Sequence, residues 1–129
     1  MTKKFIFSML SVFLACFLCI NVSAVSNQYF YEELNITIVF DDPSLDTRTQ
    51  EHIANYLVYG ASDATTFGLW CTLFGHSYEA YTATQITHGV RDTNPRCLEE
   101  IFKVQVCSRC EDTISELVAS SYITCCPEE

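Results

Sequence analysis

Basic residues are scarce in this chain. Seven Lys and Arg stand against sixteen Asp and Glu, for a formal charge of −9 at pH 7. A nucleic-acid partner demands a basic face for its phosphates, and the same shortage argues against adhesion to anionic membrane surfaces. Catalytic signatures are missing too. There is no His-Glu-x-x-His helix and no Gly-x-Ser-x-Gly elbow. His76-x-x-Glu79 is not the His-x-Glu of the zinc deaminases, and Val106, not Pro, precedes Cys107. Glu99-Glu100, Glu111-Asp112 and Glu128-Glu129 read as solvated acidic surface. Neither an internal repeat nor a low-complexity tract is present. The expectation is a non-enzymatic protein.

The first residues have their own character. Lys3-Lys4 precede a nearly unbroken apolar run from Phe5 to Ile20, and Val22-Ser23-Ala24 supplies small residues before a cut. That is the pattern of a secretory signal peptide over residues 1–24. An uncleaved anchor is the alternative, but the run falls short of the ~20 residues that span a bilayer. Cleavage predicts a secreted or cell-envelope protein with no transmembrane segment. It leaves five basic residues (Arg48, Arg91, Arg96, Lys103, Arg109) against the same sixteen acidic ones, a charge of −11. Six of the eight cysteines remain. A domain of about 100 residues buries a limited core, so metal or disulfides would help stabilise it.

Residues 25–60 read as a strand–helix unit. Leu34, Ile36, Ile38 and Phe40 alternate with polar or smaller neighbours, which predicts a strand over 34–40. Asp41-Asp42-Pro43-Ser44 stops it. Leu45, Thr49, Ile53, Tyr56 and Leu57 then form a stripe, which predicts a helix over about 44–59 that ends at Gly60. Asp42, Ser44 and Asp46 compete as its caps. His52 lies beside the stripe and reads as a half-exposed helix residue. Residues 61–70 read as a connecting loop whose Phe67, Leu69 and Trp70 pack back onto the core.

From Tyr78 the pattern is β. Residues 78–88, 98–106 and 112–124 each alternate, with a turn at Asp92-Thr93-Asn94-Pro95. Pairing them as a meander sets 78–80 opposite about 106–108, and 97 opposite about 120–122. Two clusters result, at opposite ends of the sheet. Cys71, His76, Cys107 and Cys110 meet at the first, two from a Cys-x4-His turn and two from a Cys-x2-Cys turn. Three thiolates and an imidazole form a closed, structural zinc set, with Gly75 turning His76 back toward the metal. The alternative is disulfides among the same cysteines. His88, Cys97, Cys125 and Cys126 meet at the other end. There the choice is a Cys97–Cys125 or Cys97–Cys126 disulfide or a second metal site.

Cys71-Thr72-Leu73-Phe74-Gly75-His76 followed by Cys107-Ser108-Arg109-Cys110 resembles the zinc-ribbon class, and also small uncharacterised bacterial and prophage proteins with a zinc-ribbon look. The resemblance covers about 69–126 and implies two knuckles clamping one zinc at the end of a three-stranded sheet. Two departures stand out. The first knuckle is Cys-x4-His where ribbons carry Cys-x2-Cys, and Glu111 follows Cys110 where ribbons often have Gly. The expectation is an α+β protein: an N-terminal strand and helix (25–60), a connector (61–70) and a three-stranded antiparallel zinc-ribbon-like sheet (71–129). Its expected role is a small exported interaction module for a protein or surface partner. The rivals are extracellular metal handling and a disulfide-stapled protein with thiol–disulfide chemistry.

Overall fold

A computed structural model describes residues 27–60 and 68–125. The expected signal peptide, Phe67 and Cys126 lie outside them. The described elements are β1 (Gln28–Tyr31), β2 (Ile36–Phe40), α1 (Thr47–Tyr59), α2 (Gly68–Phe74), β3 (Tyr78–Thr87), β4 (Cys97–Cys107) and β5 (Thr113–Ile123). The strands form one antiparallel sheet in the order β1-β2-β3-β4-β5. No helix among the described residues is long and apolar enough to cross a membrane.

This overturns the expected fold class. The sheet has five strands, not three, and the protein is a mostly-sheet, two-layered fold. β2 pairs with β3 from Ile36↔Thr87 to Phe40↔Ala83. β1 then extends the sheet, from Gln28↔Val39 to Tyr31↔Ile36. A three-stranded ribbon would have left the backbone of β3 unpaired along one edge. β2 takes that edge, and its buried Ile38 and Phe40 join buried Ala83 on the core side.

α1 lies across one face of the sheet. Ile53 and Ala54 pack there against Ile38, Phe40, Ala83, Val104 and Val106. Alternation along β3 and β4 sends one set of side chains under the helix, while the opposite face stays largely open, as an antiparallel sheet allows. Asp46 caps the helix: its carboxylate accepts from Thr49 N at 3.0 Å and from Thr49 Oγ1 at 2.6 Å. Those bonds hold the Asp46 carboxyl below its ordinary pKa. Gly60 stops the helix at φ 84°, and its N–H donates to Tyr56 O. Tyr31 Oη donates to Asn55 Oδ1 at 2.8 Å, and His52 Nε2 lies 2.8 Å from Thr113 Oγ1. The helix therefore reaches from β1 to β5, and His52 is half-buried against the last strand.

Three local expectations change. The strand expected over 34–40 is β2 and begins at Ile36, because Glu32–Leu34 is a 3-10 turn closed by Asn35 in the left-handed region. Gly68–Phe74 is helical, replacing the end of the loop expected over 61–70 and the start of the expected Cys71–His76 turn. Trp70 does not anchor the core: it is 62% exposed and stacks on Phe74, with centroids 5.3 Å apart. Leu69 is exposed as well.

Candidate metal centre

β4 begins and ends in cysteine, and its eleven residues carry the two ends of the candidate chemistry. At ~3.3 Å per residue, Cys97 and Cys107 stand roughly 33 Å apart along the strand.

The Cys107 end gathers four side chains. Cys71 comes from the middle of α2 and is 4% exposed. The helix ends where Gly75 N–H donates to Cys71 O at 2.8 Å and Gly75 turns into the left-handed region at φ 80°. A Cβ resists that conformation, so glycine is the residue that fits between Phe74 and His76. His76 then leads into β3, its ring stacked on Tyr78 at 5.2 Å. The hairpin between β4 and β5 supplies the other two. Tyr78 pairs with Cys107, within the expected register. Across the turn, Glu111 N–H donates to Cys107 O at 2.9 Å, and Cys107 N–H donates to Asp112 O at 2.8 Å. Glu111 closes this turn at φ 60°, in the left-handed region that favours glycine.

The two loops are tied together directly. Ser108 N–H donates to Ser77 O at 2.9 Å, and Arg109 Nη1 donates to Gly75 O at 3.2 Å. These bonds bring one ligand atom each from Cys71, His76, Cys107 and Cys110 within 4.8 Å of one another. Cys71 Sγ lies 3.7 Å from Cys107 Sγ, and Cys110 Sγ lies 3.4 Å from His76 Nδ1. A tetrahedral zinc with Zn–S of ~2.3 Å and Zn–N of ~2.05 Å has S···S edges of ~3.8 Å and S···N edges of ~3.5 Å. Both edges of the cluster match. The cluster has the donors and the dimensions to hold a metal ion.

The groups of the cluster shift one another's ionisation. Hydrogen bonding to the Cys110 sulfur, with burial second, pushes the Cys71 thiol up. Burial also raises Cys107, but backbone bonds from Arg109, Ser77 and Cys110, with the His76 side chain, outweigh it and hold that thiol below the usual range. Asp112 adds a carboxylate 4.0 Å from His76 Nδ1. It accepts from Tyr78 Oη at 2.6 Å, which pushes the tyrosine up to about 12. Glu79 is engaged elsewhere, accepting from Tyr81 Oη at 2.8 Å.

The far end is different. Cys97 and Cys125 are paired as a disulfide, with Cα atoms 6.1 Å apart. The register places Cys97 opposite Ile123, beyond the expected 120–122. The shift comes from a bulge: Ile101 pairs with Ala119 but Phe102 with Leu117, leaving Val118 as the extra residue. His88 joins the pair, Nδ1 lying 3.6 Å from Cys97 Sγ and 3.3 Å from Cys125 Sγ. Cys126 lies outside the described residues.

Sequence reasoning missed the residues that hold these clusters in place. Arg109 sits inside the Cys-x2-Cys turn, and its role depends on a loop thirty-odd residues earlier. Thr37, whose Oγ1 is 2.8 Å from His88 Nε2, lies on β2. No local pattern announces either. Comparison with protein-family models, curated proteins and solved structures finds no match to this chain.

Proposed function

We propose that this chain is an exported, non-enzymatic interaction protein whose fold is closed at one end by a structural zinc. Cys71, His76, Cys107 and Cys110 would hold the metal. The observation that carries this is the pair of ligand edges, 3.7 and 3.4 Å, that match those of a zinc tetrahedron. Four protein donors leave no position for the water that a catalytic zinc activates. Zinc bound here ties α2 to the β4–β5 hairpin, so its binding free energy adds to folding.

The interaction role rests on α2. The helix that supplies Cys71 turns Leu69, Trp70, Leu73 and Phe74 outward, each more than 60% exposed. A contiguous apolar surface of this kind marks a contact site. The acidic chain around it favours a partner with an apolar centre and a basic rim.

The test is metal content joined to stability. Purified protein holds about one zinc per chain and loses cooperative melting in a strong chelator. Metal-free protein that melts at the same temperature sinks the proposal. A second reading, metal handling, draws on the exposure of His76. It predicts rapid loss of zinc to a competing dye while the fold persists; slow exchange excludes it. Export is checked by N-terminal sequencing of the mature protein, expected to start at Val25.

A further inference from the structure

The disulfide end of the sheet contains a residue that a disulfide does not require. His88 sits just past β3, with Nδ1 aimed at both sulfurs, 3.6 Å from Cys97 and 3.3 Å from Cys125. The imidazole is held from behind. Its Nε2 lies 2.8 Å from Oγ1 of Thr37, which is 4% exposed. With the proton on Nε2 donated to that hydroxyl, Nδ1 keeps its lone pair toward the sulfurs. The backbone is pinned as well: His88 N–H donates to Asn35 O at 2.9 Å, and Asn35 Nδ2 donates to His88 O at 3.2 Å. Phe30 packs against the ring, with centroids 6.3 Å apart.

A metal-binding histidine is held in this way, one nitrogen on the ion and the other fixed by an outer partner. Both N···S distances also match the ~3.5 Å edge of a zinc tetrahedron. Only the S···S edge does not, because the sulfurs are bonded to each other where a metal would set them ~3.8 Å apart. Among the described residues the disulfide is what separates this end from a metal site. Cys125 lies beyond Ile123, the last residue of β5, so it can move without breaking a strand pair.

We propose that His88, Cys97 and Cys125 form a second site for a zinc-class cation, open when their disulfide is reduced and closed when it forms. In the closing direction a low-molecular-weight disulfide is the oxidant. Two electrons pass from the Cys97 and Cys125 thiolates to that disulfide, whose S–S bond breaks. The Cys97–Cys125 bond forms, the cation departs, and the oxidant takes up two protons to leave as two thiols. Opening is the reverse, with a thiol reductant: it is oxidised to its disulfide, and the protein releases two protons as the cation binds. Among the described residues His88, Cys97 and Cys125 supply three donors, an imidazole and two thiolates. This site stands apart from the Cys71 cluster, at the other end of β4, and does not depend on it.

Native mass spectrometry of the full chain tests this, in zinc with and without a phosphine reductant. The readout is the gain on reduction. Wild type gains one zinc when reduced, while the baseline count reports the Cys71 site separately. His88→Ala and His88→Gln form the disulfide normally but gain none, and His88→Gln guards against a folding defect in the alanine variant. No gain in reduced wild type overturns the proposal, and so does a full gain in the His88 variants. A Cys110→Ser background keeps the two sites distinguishable: there the baseline falls while the gain on reduction stays.

Discussion

Cys110→Ser isolates what the metal contributes at the Cys107 end. Cys71 and Cys107 are buried, so a serine there would add the cost of a buried hydroxyl, about 1–3 kcal/mol. Cys110 is only half-buried, and serine fits its place with water nearby. What is lost is one thiolate of four. Removal of a mere outer-shell partner weakens metal sites about 10–100-fold, so losing a ligand weakens this one by at least ~100-fold. That is about 2.7 kcal/mol of binding. Under the proposed structural role binding free energy is folding free energy, so the same amount leaves the stability of the zinc-loaded protein. At about 4–8 °C per kcal/mol for a domain of this size, Tm falls by at least about 10 °C. The assay is thermal unfolding by circular dichroism, for wild type and variant, each in zinc and in excess chelator. The account predicts a large gap in zinc and almost none in chelator, because the cysteine acts through the ion. An equal gap in both conditions, or none in zinc, refutes the reasoning.

Three further outcomes follow from particular residues. Reducing the Cys97–Cys125 disulfide in chelator lowers stability by about 3–4 kcal/mol in urea titrations, from the entropy of a loop closed across 28 residues; added zinc recovers part of that loss if the second site fills. Asp46→Ala destabilises near neutral pH, since the Thr49 bonds depress the folded pKa of the carboxyl. A depressed carboxylate contributes above its unfolded pKa and loses that contribution as pH falls through the folded one, so acid titration of both proteins shows their curves converging. Trp70→Ala changes stability by less than about 0.5 kcal/mol, as surface substitutions do, whereas a loss of about 3–5 kcal/mol in denaturant melts would mark it as core.

Local signals in the sequence were sound where the chemistry is local. The stripe around Ile53, the Gly60 stop and the alternation of β3 and β4 need only neighbouring residues, and the structure has them. The grouping of Cys71, His76, Cys107 and Cys110 was legible because the β3–β4 register sets the start of β3 beside Cys107, and the other ligands lie within a few residues of those two points in sequence. The β2–β3 pairing was not. Those strands are separated by α1 and residues 61–77, and periodicity carries no information about which edge a strand will find. The five-stranded sheet, and the support Thr37 gives His88, both follow from that unseen pairing. α2 was missed for another reason. Gly68–Phe74 spans only seven residues, too short a window for the periodicity by which a helix is read.

The central claim concerns four ligands on one ion, and zinc X-ray absorption reads them directly. The sample is the purified full chain with the Cys97–Cys125 disulfide intact, so that only the Cys71 cluster is competent. The account predicts three sulfurs at ~2.3 Å and one nitrogen at ~2.05 Å. A shell of oxygens, or protein that retains no zinc while the Cys71, Cys107 and Cys110 thiols are free, would contradict it.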